Sequence, residues 1–195
     1  ACALTAAERG HWVTLFDAAP EIGGQFNLAR RIPGKEEFSE TLRYFDRSLD
    51  RAAVTLELGR TCTAPELAEA GFEHVVLATG IVPRRPELPG IEHEKVISYA
   101  DLIEGYRIAG ERVAIIGAGG IGFDVAEFLT HTDDDQDELE RFQSEWGIDP
   151  EFANRGGLRA PSREAAGRKV WLLQRKAAKV GDGLAKTTGW IRRTL

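Results

Sequence analysis

Three glycines at fixed spacing have the clearest chemical use in this chain. They are Gly117, Gly119 and Gly122 in the run Arg112-Val-Ala-Ile-Ile-Gly117-Ala-Gly119-Gly-Ile-Gly122, a G-x-G-x-x-G pattern. The apolar stretch 112–116 before it reads as a strand, and 121–129 after it reads as a helix. In that setting each glycine has a mechanical task. Gly117 permits a tight turn, Gly119 lets backbone approach a pyrophosphate, and Gly122 lets the helix pack closely on the strand. The helix start then offers unpaired N–H groups and a partial positive charge to phosphate. A glycine-rich turn without a ligand is the other reading.

The end of the following strand decides which nicotinamide cofactor fits. An acid there would hydrogen-bond a ribose 2′-hydroxyl and repel a 2′-phosphate. After the apolar stretch 170–173 this chain has Gln174-Arg175-Lys176. Two cations favour the 2′-phosphate of NADPH, Arg175 as a fork of donors and Lys176 as a point charge. The separation from Gly122 is 175 − 122 = 53 residues, against a usual offset of about 20. The polar segment 130–168 accounts for the difference. A solvated basic strand end is the alternative.

A second set of residues lies near the start. Asp17 closes the short apolar stretch 11–16, where an acid would hold a ribose. Gly23, Gly24 and Gln25 follow after a short loop. No glycine turn precedes that stretch in the chain, which opens inside what reads as a helix. The expectation is that a phosphate-binding turn and its strand lay before Ala1. Taken alone, Asp17 equally suits a turn or a helix cap.

The elements that must position these residues alternate between helix and strand. Residues 1–9 read as a helix end closed by Gly10. Residues 36–53 read as an amphipathic helix, with Phe38, Leu42, Phe45, Leu49 and Ala52 on one stripe. Strands are expected at 11–16, 54–58 and 73–78, the last with the continuous run Val75-Val76-Leu77-Ala78 of a strand buried on both faces. Pro83, Pro86 and Pro89 mark a crossing between domains, and 130–168 reads as polar and irregular. The fold class is α/β, with two tandem Rossmann-like dinucleotide-binding units, both incomplete. The expected domains are 1–92 and 93–195.

Composition sets the outer limits. Hydrophobic residues make up 43 % of the 195, enough for a packed core. The net charge is −6 and no basic block marks a nucleic-acid surface. The acids Asp133, Asp134, Asp135, Asp137, Glu138 and Glu140 read as a solvated run. No apolar stretch reaches the ~20 residues that span a bilayer. Cys2 and Cys62 lack metal spacing and suggest a reducing, cytoplasmic setting. His11, His74, His93 and His131 share no ligand spacing, and Trp146 reads as structural.

Several motifs together resemble one family. Thr14-Leu-Phe-Asp17 with Glu21-Ile-Gly-Gly-Gln-Phe26 is similar to the FAD segment of flavoproteins related to 2,4-dienoyl-CoA reductase and trimethylamine dehydrogenase. Leu77-Ala-Thr-Gly80 resembles the strand-end motif of flavoproteins with two dinucleotide domains. Pro33-Gly-Lys-Glu-Glu-Phe38, Glu145-Trp-Gly-Ile-Asp149, Leu173-Gln-Arg-Lys176 and Gly183-Leu-Ala-Lys-Thr-Thr-Gly-Trp190 resemble the bacterial NADPH-dependent 2,4-dienoyl-CoA reductases. The resemblance covers essentially the whole chain, and the segment 130–168 resembles an insertion in those enzymes.

The resemblance implies the electron-input part of a larger oxidoreductase. A barrel with FMN and the acyl-CoA site, and a 4Fe-4S cluster, would lie outside this chain. Electrons from NADPH would reach FAD, then the cluster, then FMN, because a flavin links two-electron and one-electron donors. The resemblance places FAD against Asp17, Gly24, Gln25, the backbone of Cys62, and Ala78. It places NADPH on Gly117, Gly119, Gly122, Arg175 and Lys176. Trp190 would stack on a ring or line a passage between cofactors, or else be a core or interface residue. It implies no catalytic acid or base, metal ligand, nucleic acid or membrane partner here. A trimethylamine dehydrogenase-like oxidoreductase and a non-catalytic nucleotide-binding module are the competing readings.

Overall fold

The computed structural model describes residues 1–131, 138–162, 167–182 and 184. The chain divides into two compact units, Ala1–Arg107 and Ile108–Leu195. Asp133, Asp134, Asp135, Asp137 and Trp190 lie outside the described residues.

The first unit is built around two parallel strands, β1 (Thr14–Asp17) and β2 (Thr55–Leu58), paired Thr14 to Thr55 through Asp17 to Leu58. Helix α1 (Cys2–Glu8) precedes β1 and ends as expected, with Gly10 at φ +90° beyond it. Helices α2 (Gln25–Ala29) and α3 (Phe38–Arg51) connect the strands. The apolar stripe of α3 delivers Leu49 to the core, where it is buried with Leu4 and Val54. Val13, Leu15, Phe45 and Leu56 pack around that cluster. Truncating a buried leucine such as Leu49 to alanine costs roughly 2–5 kcal/mol.

Two short helices complete the unit. In α4 (Ala64–Glu69), Thr63 and Glu66 form a reciprocal capping box, with the Thr63 N–H and hydroxyl each 2.7 Å from Glu66 Oε2. In α5 (Tyr99–Glu104), the Ser98 hydroxyl accepts the Asp101 N–H at 3.0 Å, and Gly105 ends the helix at φ +82°. Arg31 donates to the carbonyls of Ile103 and Glu104, and Tyr99 donates to Gln25 Oε1 at 3.3 Å. These bonds fasten α5 to the α2 region. The first compact unit therefore extends to Arg107.

The second unit repeats the parallel arrangement. Strand β3 (Arg112–Ile116) pairs with β4 (Lys169–Leu173), from Arg112 with Lys169 to Ile116 with Leu173. Helix α6 (Gly120–Thr130) follows β3 and buries Val125 and Leu129. Arg168 donates to the carbonyl of Leu129 at 3.3 Å, closing the far end of α6.

Two sequence expectations are corrected. Residues 73–78 form no strand, and Val76 and Leu77 are 69 % and 80 % exposed. A strand needs a neighbour to take its N–H and C=O groups, and among the described residues this segment has none. The second correction concerns 130–168, which contains a helix, α7 (Glu138–Trp146), and one 3-10 turn at Arg155–Gly157. Ile148 and Leu158 bridge the two ends of the intervening loop. Leu139, Phe142 and Trp146 recur at helical spacing in α7, and Phe142 packs on Trp146 with ring centroids 6.0 Å apart. Among the described residues, no helix is long and apolar enough to cross a membrane.

Candidate functional site: a glycine turn beside a basic strand end

The turn between β3 and α6 gives each glycine a different reason to be there. Gly117 sits at φ +123°, a conformation L side chains rarely adopt. A Cβ at Gly122 would lie 2.0 Å from the Gly117 carbonyl oxygen and 3.3 Å from Leu172 Cδ1. Gly122 is thus needed for helix-on-strand packing. Gly119 is the residue before α6, at φ −90° and ψ −174°. Nothing lies within 4 Å of a Cβ built at Gly117, Gly119 or Gly120. The space above the turn is therefore open, and no acid occupies the first turn of α6. That is the geometry and charge an entering diphosphate requires.

The long separation of Gly122 and Arg175 in sequence disappears in space. The Gly117 N–H donates to the Leu173 carbonyl at 2.9 Å, continuing the β3–β4 pairing beyond Ile116. Gln174, Arg175 and Lys176 follow directly, and both cations are exposed. The structure therefore brings Gly117, Gly119, Gly122, Arg175 and Lys176 to the carboxyl edge of one strand pair. The intervening residues return the chain in parallel register, so sequence distance carries no information about proximity here.

The corresponding edge of the first unit is different. Asp17 ends β1, and its Oδ1 accepts the Ala19 N–H at 2.9 Å. The Arg60 N–H donates to the Asp17 carbonyl at 3.1 Å, which draws the residues leading to Cys62 alongside. Arg60 was not singled out by sequence. Its guanidinium lies 5.6 Å from the Phe16 ring centroid and pairs with Glu66 and Glu57 at 3.4 and 3.5 Å. The hydrogen bond that Arg60 donates to Glu66 holds the guanidinium above its ordinary pKa. Glu66 is in turn held below the usual carboxylate range, first by the Thr63 backbone N–H.

The glycine pair before α2 also divides its roles. Gly24 stands at φ +51°. Gly23 is at φ +128°, and a Cβ there would lie 2.7 Å from Leu42 Cδ2. Gln25 opens α2 and accepts from Tyr99. Ala78 lies in the exposed irregular segment. Asp17 and Cys62 thus share an edge, and Gly24 and Gln25 lie on the loop and helix that follow β1. Among the described residues, no cluster of three or more His, Cys, Asp or Glu could hold a metal ion.

A model of the pyridine nucleotide-disulphide oxidoreductase family matches residues 1–154. The chain belongs to this family. It is 33% identical to an NADH oxidase from Thermoanaerobacter brockii over 65% of the chain and 20% of that protein. It is 37% identical to an N,N-dimethylglycine/sarcosine dehydrogenase from Chromohalobacter salexigens over 58% of the chain and 17% of that protein. The solved structure of a 2-naphthoyl-CoA reductase complex superposes with a TM-score of 0.63 at 33% identity, covering 66% of this chain and 20% of that one. The chain thus spans about a fifth of the length of these relatives.

This oxidoreductase domain has the FAD- and NAD(P)-binding α/β fold of its family. The β3–α6 turn fits a pyridine nucleotide, with open space over Gly117 and Gly119 and an acid-free helix start. In the first unit Asp17 and the residues leading to Cys62 stand at one strand edge, where the Arg60 N–H donates to the Asp17 carbonyl. α2, with five residues, starts only after the intervening loop.

Proposed function

We propose that this domain is the electron-input portion of a flavin and iron–sulfur oxidoreductase that reduces 2,4-dienoyl-CoA thioesters with NADPH. One observation carries the reading: the Gly117 N–H to Leu173 carbonyl bond sets the basic pair Arg175–Lys176 beside the glycine turn. When bound, the nicotinamide supplies a hydride and the flavin accepts it. This chain's residues bind and orient. The α6 start meets the pyrophosphate, Arg175 and Lys176 meet the 2′-phosphate, and Asp17 accepts from a ribose hydroxyl of FAD. The two nucleotide sites are two tandem Rossmann-like units in this reading. FMN, the 4Fe-4S cluster and the acyl-CoA site belong to a longer, cytoplasmic protein active in unsaturated fatty acid degradation. The similarity to a 2-naphthoyl-CoA reductase supports a thioester substrate.

The identity with the dimethylglycine/sarcosine dehydrogenase favours a second reading, an amine-oxidising barrel-plus-flavin enzyme. One assay separates the two. The protein carrying this domain is supplied anaerobically with NADPH or NADH and 2,4-hexadienoyl-CoA, and separately with sarcosine and an electron acceptor. NADPH-dependent loss of the dienoyl absorbance is expected. Equal efficiency with both nucleotides would remove the NADPH assignment, and sarcosine oxidation without thioester reduction would establish the second reading.

A further inference from the structure

The residue between Leu173 and the basic pair has a task of its own. Gln174 is the first residue beyond β4 and is half-buried, while Arg175 and Lys176 are exposed. Its backbone root is fixed, because the preceding carbonyl accepts from Gly117. Its side-chain Nε2 donates to the carbonyl of Lys176 at 3.0 Å and to that of Ala178. Both hydrogens of the amide are thus spent on carbonyls two and four residues further on. The loop curls over its own amide, and two carbonyl dipoles that would repel a phosphate are directed at that amide.

We propose that Gln174 is the positioning residue for 2′-phosphate selectivity, holding the loop so that Arg175 and Lys176 present their charges together. The inference rests on the reading that this pair meets the 2′-phosphate. The residue type follows from the contacts. A carboxylate of the same length has no hydrogen to give, would face two carbonyls, and would set a negative charge next to the cations. A methionine of similar volume donates nothing. Gln174 therefore combines two properties, neutrality and two donors, that no acid at this position supplies.

The test is calorimetric titration of the 195-residue chain with NADPH, NADH, 2′,5′-ADP and 5′-AMP, with a thermal melt of each variant. Gln174→Met should weaken NADPH and 2′,5′-ADP about tenfold while changing NADH and 5′-AMP less than about twofold. Gln174→Glu should weaken the two phosphorylated ligands further, by roughly 50-fold, because it adds repulsion to the lost donors. Gln174→Lys restores N–H donors and should stay within about threefold of the unmodified chain for NADPH. If Gln174→Met lowers all four affinities equally, or leaves the NADPH-to-NADH ratio unchanged while Arg175→Ala abolishes it, the inference falls and the NADPH reading stands. If the unmodified chain does not prefer NADPH, both fall. Should Gln174→Met fail to fold, equal NADPH binding by the Glu and Lys variants overturns the inference.

Discussion

The carboxyl ends of strands β1 and β4 carry opposite charge. β1 ends in Asp17, whereas β4 runs into Arg175 and Lys176. An acid at this place suits a ribose hydroxyl, and a basic pair suits a phosphate on that same ribose. The turns differ as well. In the second unit β3 passes to α6 through three residues, Gly117 to Gly119, so the helix start stands at the strand edge. In the first unit β1 and α2 are separated by residues 18–24, and α2 has only five residues. The same parallel two-strand frame therefore presents an acid at the end of β1 and a basic pair after β4.

The sharpest way to break the comparison uses two glycines of one turn. Gly119→Val should abolish NADPH binding, a loss above about 100-fold, because the side chain fills space the pyrophosphate needs. The melting temperature should hardly move, since its φ and ψ suit any residue and nothing lies within 4 Å of the new Cβ. Gly122→Ala should do the reverse. Its Cβ meets a backbone oxygen at 2.0 Å, and the resulting shift should cost roughly 3 kcal/mol in denaturant unfolding. A Gly119→Val chain that binds NADPH normally would show that the turn does not carry the nucleotide.

Next in size is the charge contrast. Arg175→Ala should weaken NADPH at least about tenfold, one charge-assisted bond being worth roughly 1.5–3 kcal/mol. NADH affinity should stay nearly constant, because it lacks the phosphate. The same substitution should leave FAD untouched. Asp17→Ala should weaken FAD and leave NADPH unchanged. Fluorescence titration of both variants with both cofactors checks this, and crossed effects would show that the two edges are not independent.

The turn was legible in the sequence because its information is local: strand, glycines and helix lie within about a dozen residues, and each has a short-range reason. The proximity of Arg175 to Gly117 was not. A parallel return can have any length, so only the β3–β4 register, Ile116 against Leu173, shows it. Residues 73–78 misled for the opposite reason. Apolar runs predict that a segment wants burial, but a strand also needs a neighbour. Helix α7 was readable from Leu139, Phe142 and Trp146, yet the surrounding polar residues outweighed that stripe. Arg60 gave no signal, since its place over Phe16 and against Glu66 arises only when β2 lies beside β1.

The smallest expected effect compares two aspartates in turns. Asp17 accepts one backbone N–H through its side chain. Asp149 is 6 % exposed and accepts from the Asn154 N–H at 2.8 Å, the Asn154 side chain at 2.9 Å and the Glu151 N–H at 3.2 Å. These donors, the Asn154 backbone N–H foremost, hold the Asp149 carboxyl below its ordinary pKa. The sign follows from linkage: a carboxyl with a depressed folded-state pKa adds stability above its unfolded value, and loses it as pH falls through the lower folded value. Asp149→Asn presents an amide group to N–H donors, so at pH 7 its melting temperature should fall by about a few degrees. That gap should hold constant down to the unfolded aspartate value of about 3.9 and then close as the unmodified carboxyl is protonated. Asp17→Asn, with one such donor to lose, should lower the melting temperature less at pH 7. Thermal melts of both variants between pH 7 and pH 3 read the two gaps directly. A gap at Asp149 that widens in acid would mean that the loop 147–159 is not tied by the ionised carboxylate.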